Sequence, residues 1–338
     1  PVMEDLFSGI YGQKSVKEIL SGFLTTKKIP QALLFSGPPG VGKDFIAIRF
    51  ANLINRIEKG DYDPVIEGNT LKEPAVKFIC PLPVGKNESS DDGPYDRMTP
   101  SEMELIQEEF RKKEENPYYK ISIPKANDIK ISSIRSLTKY MSLSFQEKGR
   151  RTVIISDAHL MNEPAQNSLL KNLEEPPEGF VFILTTSDPS LLRETIKSRC
   201  WPVEFKPLVK SEIADALKVY FGLEESETDL LAHISSGSIA KALYLREKNL
   251  FDRQSSVIAF LRFSLAGKLS SAQKEIKDIL SENDAELFQL FVSLVLLWFE
   301  DFKRYLIGFR EDLFYTQHID TFEKFAQNTV LSTQTEQL

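Results

Sequence analysis

The chain has 338 residues, 41% hydrophobic and 27% charged. That is ordinary globular composition and too much chain for one small core, so two or three domains are expected. A net charge of −7 and a pI near 5.3 argue against a protein that grips nucleic acid alone through a basic face. Two distant cysteines, Cys80 and Cys200, and three histidines give neither a disulfide framework nor a zinc-finger spacing.

In chain order, "QALLFSG" reads as a short apolar strand, "PPGVGK" as a turn, and "KDFIAIRFANLINRI" as a buried helix. Residues 57–128 are less regular. "EKGDYDPVIEGNTLKEP" and "GKNESSDDGPYDRMTP" are loop-like, and "SEMELIQEEFRKKEEN" reads as a charged surface helix capped by Ser101. "ISSIRSLTKYMSLS" predicts a helix, "RTVIIS" a strand, "EPAQNSLLKNLEE" a helix stopped by Pro176-Pro177, and "FVFILTTS" another strand. Strands alternating with helices predict an α/β domain with a parallel sheet.

After "WPVEFKPL" the strand pattern ends, and "SEIADALKVYFG", "ETDLLAHISS" and "SIAKALYLRE" are helical. The apolar run "LFQLFVSLVLLWF" (287–299) is too short to span a bilayer and reads as a buried helix. In it Phe288, Phe291, Leu294 and Trp298 recur at helical spacing as expected core. No basic-then-apolar leader opens the sequence, so a cytoplasmic protein with no membrane partner is expected. The expected division is a P-loop domain over 1–206, a helical lid over 207–250 and a helical domain over 251–338.

Gly37-Pro38-Pro39-Gly40-Val41-Gly42-Lys43 fits the phosphate-loop pattern G-x-x-x-x-G-K, but Asp44 stands where Ser or Thr belongs. Glycines at 37, 40 and 42 let backbone N–H groups turn inward around a phosphate, and Lys43 adds a point charge. The missing hydroxyl would hold Mg²⁺; Asp44 instead brings a carboxylate that reaches a metal but repels the anion. The second strand ends Ser156-Asp157, where an ATPase needs Asp for the metal side and Glu for the attacking water. Three departures in one direction argue against efficient hydrolysis. ATP or ADP is the ligand the loop allows.

Residues 151–200, with "NSLLKNLEEPP", "TTSDPSLL" and "SRC", resemble the AAA+ subunits of the bacterial replicative clamp loader, part of the DNA polymerase III holoenzyme. "FSGIYGQKSVKEIL", "KKIPQALLFSGPPGVGK" and "DIKISSIRSL" fit the same family, so the resemblance covers nearly all of 3–250. It implies an AAA+ domain, a lid and an all-α collar that joins a five-subunit ring with γ/τ and δ, loading a sliding clamp onto primed DNA. Within that family the chain resembles the non-hydrolysing stator kind. Aligned on "GSIAKAL", the lid's γ-phosphate-sensing arginine falls on Ala240, beside Lys241, and is absent. Arg199 of Ser198-Arg199-Cys200 matches the family's finger, which reaches a neighbour's ATP; a planar guanidinium suits that charge. An isolated arginine would instead read as a surface salt bridge.

Thr185 and Thr186 fall at the family's first phosphate sensor, with packing their expected role here. Gly12-Gln13 matches its adenine-side segment and equally a helix-start turn. Arg135 and Lys139 lie where family helices line the DNA chamber, or on a solvated face. The family's zinc module needs four cysteines where this chain has only Cys80, so no zinc is expected. The helical end is short for a collar, and "VLSTQTEQL" reads as a truncated or disordered boundary. The alternative is a weakly active γ/τ-like motor in which Asp44 and Asp157 substitute for the usual residues.

Overall fold

The computed structural model describes residues 6–59, 71, 76–89, 92–142, 150–247, 253–281, 285–310 and 313–335. Its centre is a five-stranded sheet in the order β2-β3-β4-β1-β5, every pairing parallel. The strands are β1 (Ala32–Ser36), β2 (Val76–Ile79), β3 (Arg151–Ile155), β4 (Phe180–Thr186) and β5 (Trp201–Glu204). A parallel sheet needs helices on both faces, because its crossovers and its apolar strands leave neither side to water. All seven residues of β4 are buried accordingly.

Alternation sorts the strands' side chains between the two faces. Ala32, Leu34, Val153, Ile155, Phe182 and Leu184 pack with Ile134 and Leu137 of α4 (Ile131–Ser142) and Ala165, Leu169 and Leu173 of α5 (Glu163–Glu174). Asn162 caps α5, its side chain accepting from Ala165 N–H at 3.0 Å. On the other side α2 (Lys43–Lys59) lies against β3 and β4 with Phe45, Ile46, Phe50 and Ile54 buried. Each such aliphatic or aromatic side chain contributes about 1.5–3 kcal/mol by leaving water.

Helix α1 (Lys14–Thr26) buries Val16, Leu20 and Leu24, one turn apart. Gln13, left-handed at φ 54°, begins it. Its side chain donates to Lys206 O (2.6 Å) and accepts from Lys206 N–H (3.1 Å), so the helix start is tied to the exit of β5. A short helix α6 (Glu194–Lys197) leads into β5.

Two expectations fail along this stretch. Strand β2 falls inside the segment read as irregular, because four residues with Lys77 among them are too few to show a period. The cap of α3 (Pro100–Glu115) is Thr99, not Ser101: Thr99 Oγ1 accepts from Glu102 N–H, and the Glu102 carboxylate accepts from Thr99 N–H. Nor is α3 a plain surface helix, since Ile106, Glu109 and Lys113 are buried along one face. The loop expected over 58–74 lies almost wholly outside the described residues.

Contacts divide the chain into two compact units, Pro1–Ala232 with Ser236–Lys241, and His233–Ser235 with Ala242–Leu338. Helices α7 (Lys210–Phe221), α8 (Glu225–Ile234) and α9 (Ile239–Glu247) fall in the segment 207–250 that was expected to be a lid. The second unit holds α10 (Arg253–Leu265), α11 (Leu269–Ser281), α12 (Ala285–Leu306) and α13 (Ile319–Thr335). Of "VLSTQTEQL", read as a truncated or disordered boundary, the residues to Thr335 belong to α13 and the last three lie outside the described residues.

The core of the second unit is aromatic. Trp298, 1% exposed, stacks on Phe302 at 5.1 Å and packs against Phe322 and Phe325. Phe291 and Leu294 are buried as expected, but Phe288 is 47% exposed. The correction is geometric. Phe288 leads a second stripe with Val292, Leu296 and Phe299, all exposed, whereas the core stripe runs Leu287, Leu290, Leu294 and Trp298. Among the described residues no helix is long and apolar enough to cross a membrane.

Candidate functional site: an altered phosphate loop and a distant arginine

The glycine loop follows β1 and opens α2, as the pattern requires. Gly37, Gly40 and Gly42 have φ of 148°, 74° and 93°. Gly40 illustrates the constraint, since a Cβ there would lie 2.1 Å from Ser238 Oγ and 2.8 Å from Ala240 Cβ. Ala240 N–H also donates to Gly40 O at 3.4 Å. The start of α9 therefore lies against the loop, and the position where an arginine was sought carries a methyl group.

Lys43 is 7% exposed and folds back on the loop, donating to Gly37 O at 2.7 Å and Pro38 O at 2.6 Å. Burial pushes its ammonium down to about 8, against the pull of Asp44 and Asp157.

Asp44 does not point into open solvent. Ser156 Oγ donates to its Oδ2 and Thr185 Oγ1 to its Oδ1, both at 2.7 Å. The Lys113 ammonium, from α3, lies 3.8 Å from Oδ2. Lys113 also donates to Tyr119 O at 2.6 Å and Pro117 O at 3.1 Å. Burial lowers its pKa below the ordinary lysine value, and Asp44 opposes that. Thr185 thus does more than pack, for its hydroxyl also accepts from Asp157 N–H at 3.2 Å. Asp157 itself is left-handed at φ 51°, with its carboxylate 3.6 Å from Lys120. Thr186 Oγ1 pairs with His159 Nδ1 at 3.2 Å and accepts from Asp188 N–H.

A second charged residue of α3 fastens the neighbouring loop. Glu109 accepts from Tyr119 OH at 2.7 Å and Ser122 N–H at 2.8 Å, and binds Lys112 at 2.8 Å. That loop brings Tyr118 to Gly42, where a Cβ would come within 3.1 Å of its ring, and against Phe45 edge to face. Lys113, Glu109 and Tyr118 were not singled out in the sequence. Their only signal was spacing: Ile106, Glu109 and Lys113 at i, i+3 and i+7, a helical stripe with charges in it.

A hydrolysing P-loop holds Mg²⁺ between a loop hydroxyl and a strand-end carboxylate. Here the carboxylate is on the loop helix and the hydroxyl on the strand, bonded to each other, with an ammonium beside them. The residues do not fit a metal-bound nucleotide. Among the described residues no group of three or more His, Cys, Asp or Glu is placed to hold a metal ion.

Arg199 lies elsewhere. It precedes β5, and β5 runs parallel to β1 with Leu33 opposite Trp201, so Arg199 stands at the strands' N-terminal end. The phosphate loop stands at their C-terminal end, roughly 15 Å away at about 3.3 Å per strand residue. Arg199 donates to Glu174 at 2.9 Å and to Thr195 O at 2.9 Å, its side chain 36% exposed. It borders an open cavity of about 340 Å³ lined also by Pro30, Leu173, Pro176, Trp201 and Pro202. Trp201 is 53% exposed. Of the expected site residues, the structure brings together 37–44, 156, 157 and 185, and leaves Arg199 apart.

A family model described as "DNA polymerase III, delta subunit" matches residues 97–209. The tau subunits of DNA polymerase III from Bacillus subtilis and Escherichia coli are 26% and 27% identical over 249 and 272 residues. Those alignments cover 72% and 79% of this chain but 37% and 36% of the relatives, so the chain spans little more than a third of their length. The delta′ subunit of B. subtilis is 29% identical over 215 residues, 62% of this chain and 63% of that one. Among solved structures, the RuvB branch migration motor of Thermotoga maritima aligns over 79% of this chain and 69% of its own, with 14% identity and a TM-score of 0.42. A DNA polymerase III gamma subunit-related protein of the same organism aligns over 90% of both chains, with 16% identity and a TM-score of 0.39. By the family model and these sequence relatives, the chain is similar to subunits of DNA polymerase III, those named tau, gamma and delta′ among them.

Proposed function

We propose that the chain is the δ′-like stator of a replicative clamp loader. It hydrolyses no ATP itself and supplies Arg199 to the ATP site of a neighbouring motor subunit. The observation that carries this reading is the separation of the two chemistries. The chain's own loop is closed on itself by Asp44, Ser156, Thr185 and Lys113. An exposed arginine stands at the far end of the same sheet, beside an exposed tryptophan. Arg and Trp are the residue types that most often anchor partner interfaces.

In this reading residues 1–206 are the AAA+ platform, 207–250 the lid and 251–338 the collar. The exposed stripe of α12, Phe288, Val292, Leu296 and Phe299, is the apolar face offered to γ/τ and δ subunits in a five-membered ring. The sliding clamp and primed DNA are met through that assembly, in the cytoplasm. With a net charge of −7, the chain has little affinity of its own to offer a phosphate backbone.

A motor reading has one observation in its favour: the hydroxyl–carboxylate pair survives, with its members exchanged. Reconstitution separates the two. A stator shows no turnover alone, yet its omission from the purified loader abolishes clamp loading. Vigorous turnover by the isolated chain overturns the stator reading.

A further inference from the structure

Lys113 belongs to no phosphate-loop pattern, yet it is 3% exposed and faces the altered residue of that loop. Its nitrogen donates two hydrogen bonds, to Tyr119 O at 2.6 Å and Pro117 O at 3.1 Å, and lies 3.8 Å from the Asp44 carboxylate, at ion-pair distance. The carboxylate at that distance favours the ammonium form against the pull of burial. The Asp44 oxygens each also accept a hydroxyl, from Ser156 and from Thr185. Carboxylate and hydroxyl oxygens are the ligands that Mg²⁺ and Mn²⁺ take. Here the carboxylate that gathers them lies beside an amino group that the chain itself carries on α3.

We infer that Lys113 is a resident cation that occupies the role of the divalent metal at the glycine loop, and so sets the site's specificity against metal-bound nucleotides. A divalent ion approaching Asp44 meets an ammonium that cannot leave, because α3 and the Pro117–Ser122 loop hold it. The helix is in turn fixed by Glu109 on Tyr119 OH and Ser122 N–H. The inference deepens the non-hydrolysing reading of the same loop and rests on it only there; it is independent of Arg199.

The test is calorimetric titration of the full chain with ADP, in EDTA and in Mg²⁺, with retention of Mn²⁺ followed by electron paramagnetic resonance. For the wild type the two media give the same result within about twofold, including no binding in either, and no Mn²⁺ is retained. Lys113→Met bares the oxygen cluster and gains Mn²⁺ retention, with ADP binding at least about tenfold stronger in Mg²⁺ than in EDTA. Lys113→Arg keeps the charge and behaves as wild type. Circular dichroism and melting establish that each variant is folded, and if Lys113→Met is not, the wild type and Lys113→Arg decide. Tenfold enhancement by Mg²⁺ in the wild type overturns the inference, as does a folded Lys113→Met that holds no more metal. A wild type whose ADP binding is enhanced tenfold by Mg²⁺ but that shows no turnover sinks this inference and leaves the stator reading standing.

Discussion

The Ser156 hydroxyl donates to the Asp44 carboxylate at 2.7 Å, across the gap between the end of β3 and the first turn of α2. In a hydrolysing P-loop the helix carries the hydroxyl and the strand the carboxylate. Two of the three departures noted in the sequence are therefore one compensated exchange. Asp44→Thr alone leaves two hydroxyls and an unpaired Lys113; Ser156→Asp alone sets two carboxylates against each other. Each single change should cost about 1–3 kcal/mol, and the double Asp44→Thr/Ser156→Asp should recover about 1–2 kcal/mol of that sum. Urea unfolding of the four proteins measures the coupling, and additive effects contradict it. The double variant regains no vigorous ATPase, because Ala240 still stands at the lid position.

Lys43 gives a pH prediction. Its folded value is about 8 and its ordinary value 10.5. Between these the unfolded chain holds a proton that the folded chain has released, so this residue makes stability rise with pH across that window. Cys80, pushed up to about 12 by burial, acts in the opposite sense, but it is common to wild type and variant. The stability difference between wild type and Lys43→Met should therefore climb from pH 8 to 10.5, by on the order of 1–3 kcal/mol in total. A flat difference in chemical denaturation across that range contradicts the burial argument.

The two faces of α12 predict opposite phenotypes. Leu296, 63% exposed, should tolerate Leu296→Asp with unchanged melting, while the variant joins the loader at least about tenfold more weakly. Trp298→Ala should instead destabilise the fold by about 3–5 kcal/mol, since Trp298 lies among Phe302, Phe322 and Phe325. Analytical ultracentrifugation with γ/τ and δ measures the first, and thermal unfolding the second. Normal assembly of Leu296→Asp removes this stripe from the interface.

The parallel sheet was legible because β1, β3 and β4 are apolar runs bounded by Gly, Pro or Asp, with amphipathic helices between them. The glycine loop was legible because backbone geometry demands glycine. Lys113 and Glu109 escaped notice because periodicity is read from apolar residues, and a buried charge looks on paper like a solvated one. Phe288 was misplaced because α12 is apolar on two faces, where spacing alone cannot choose which face is core. Thr185 was assigned to packing because its partner, Asp44, lies 141 residues away in sequence. Such pairings exist only once the sheet has formed.

Arg199 tests the central claim most directly. The loader is reconstituted with wild-type, Arg199→Lys or Arg199→Ala chain, and ATP hydrolysis and clamp loading are measured on primed DNA. A finger supplied in trans is worth roughly 10³–10⁵ in rate at the site it serves. Both variants should fold and assemble as wild type, because Arg199 is half-exposed and bonds Glu174 and the Thr195 carbonyl at the surface. Both should silence one motor site and leave the others to their own fingers. Lysine fares nearly as badly as alanine, since it keeps the charge and loses the planar fork. Wild-type hydrolysis and clamp loading by the Arg199→Ala complex would contradict the account.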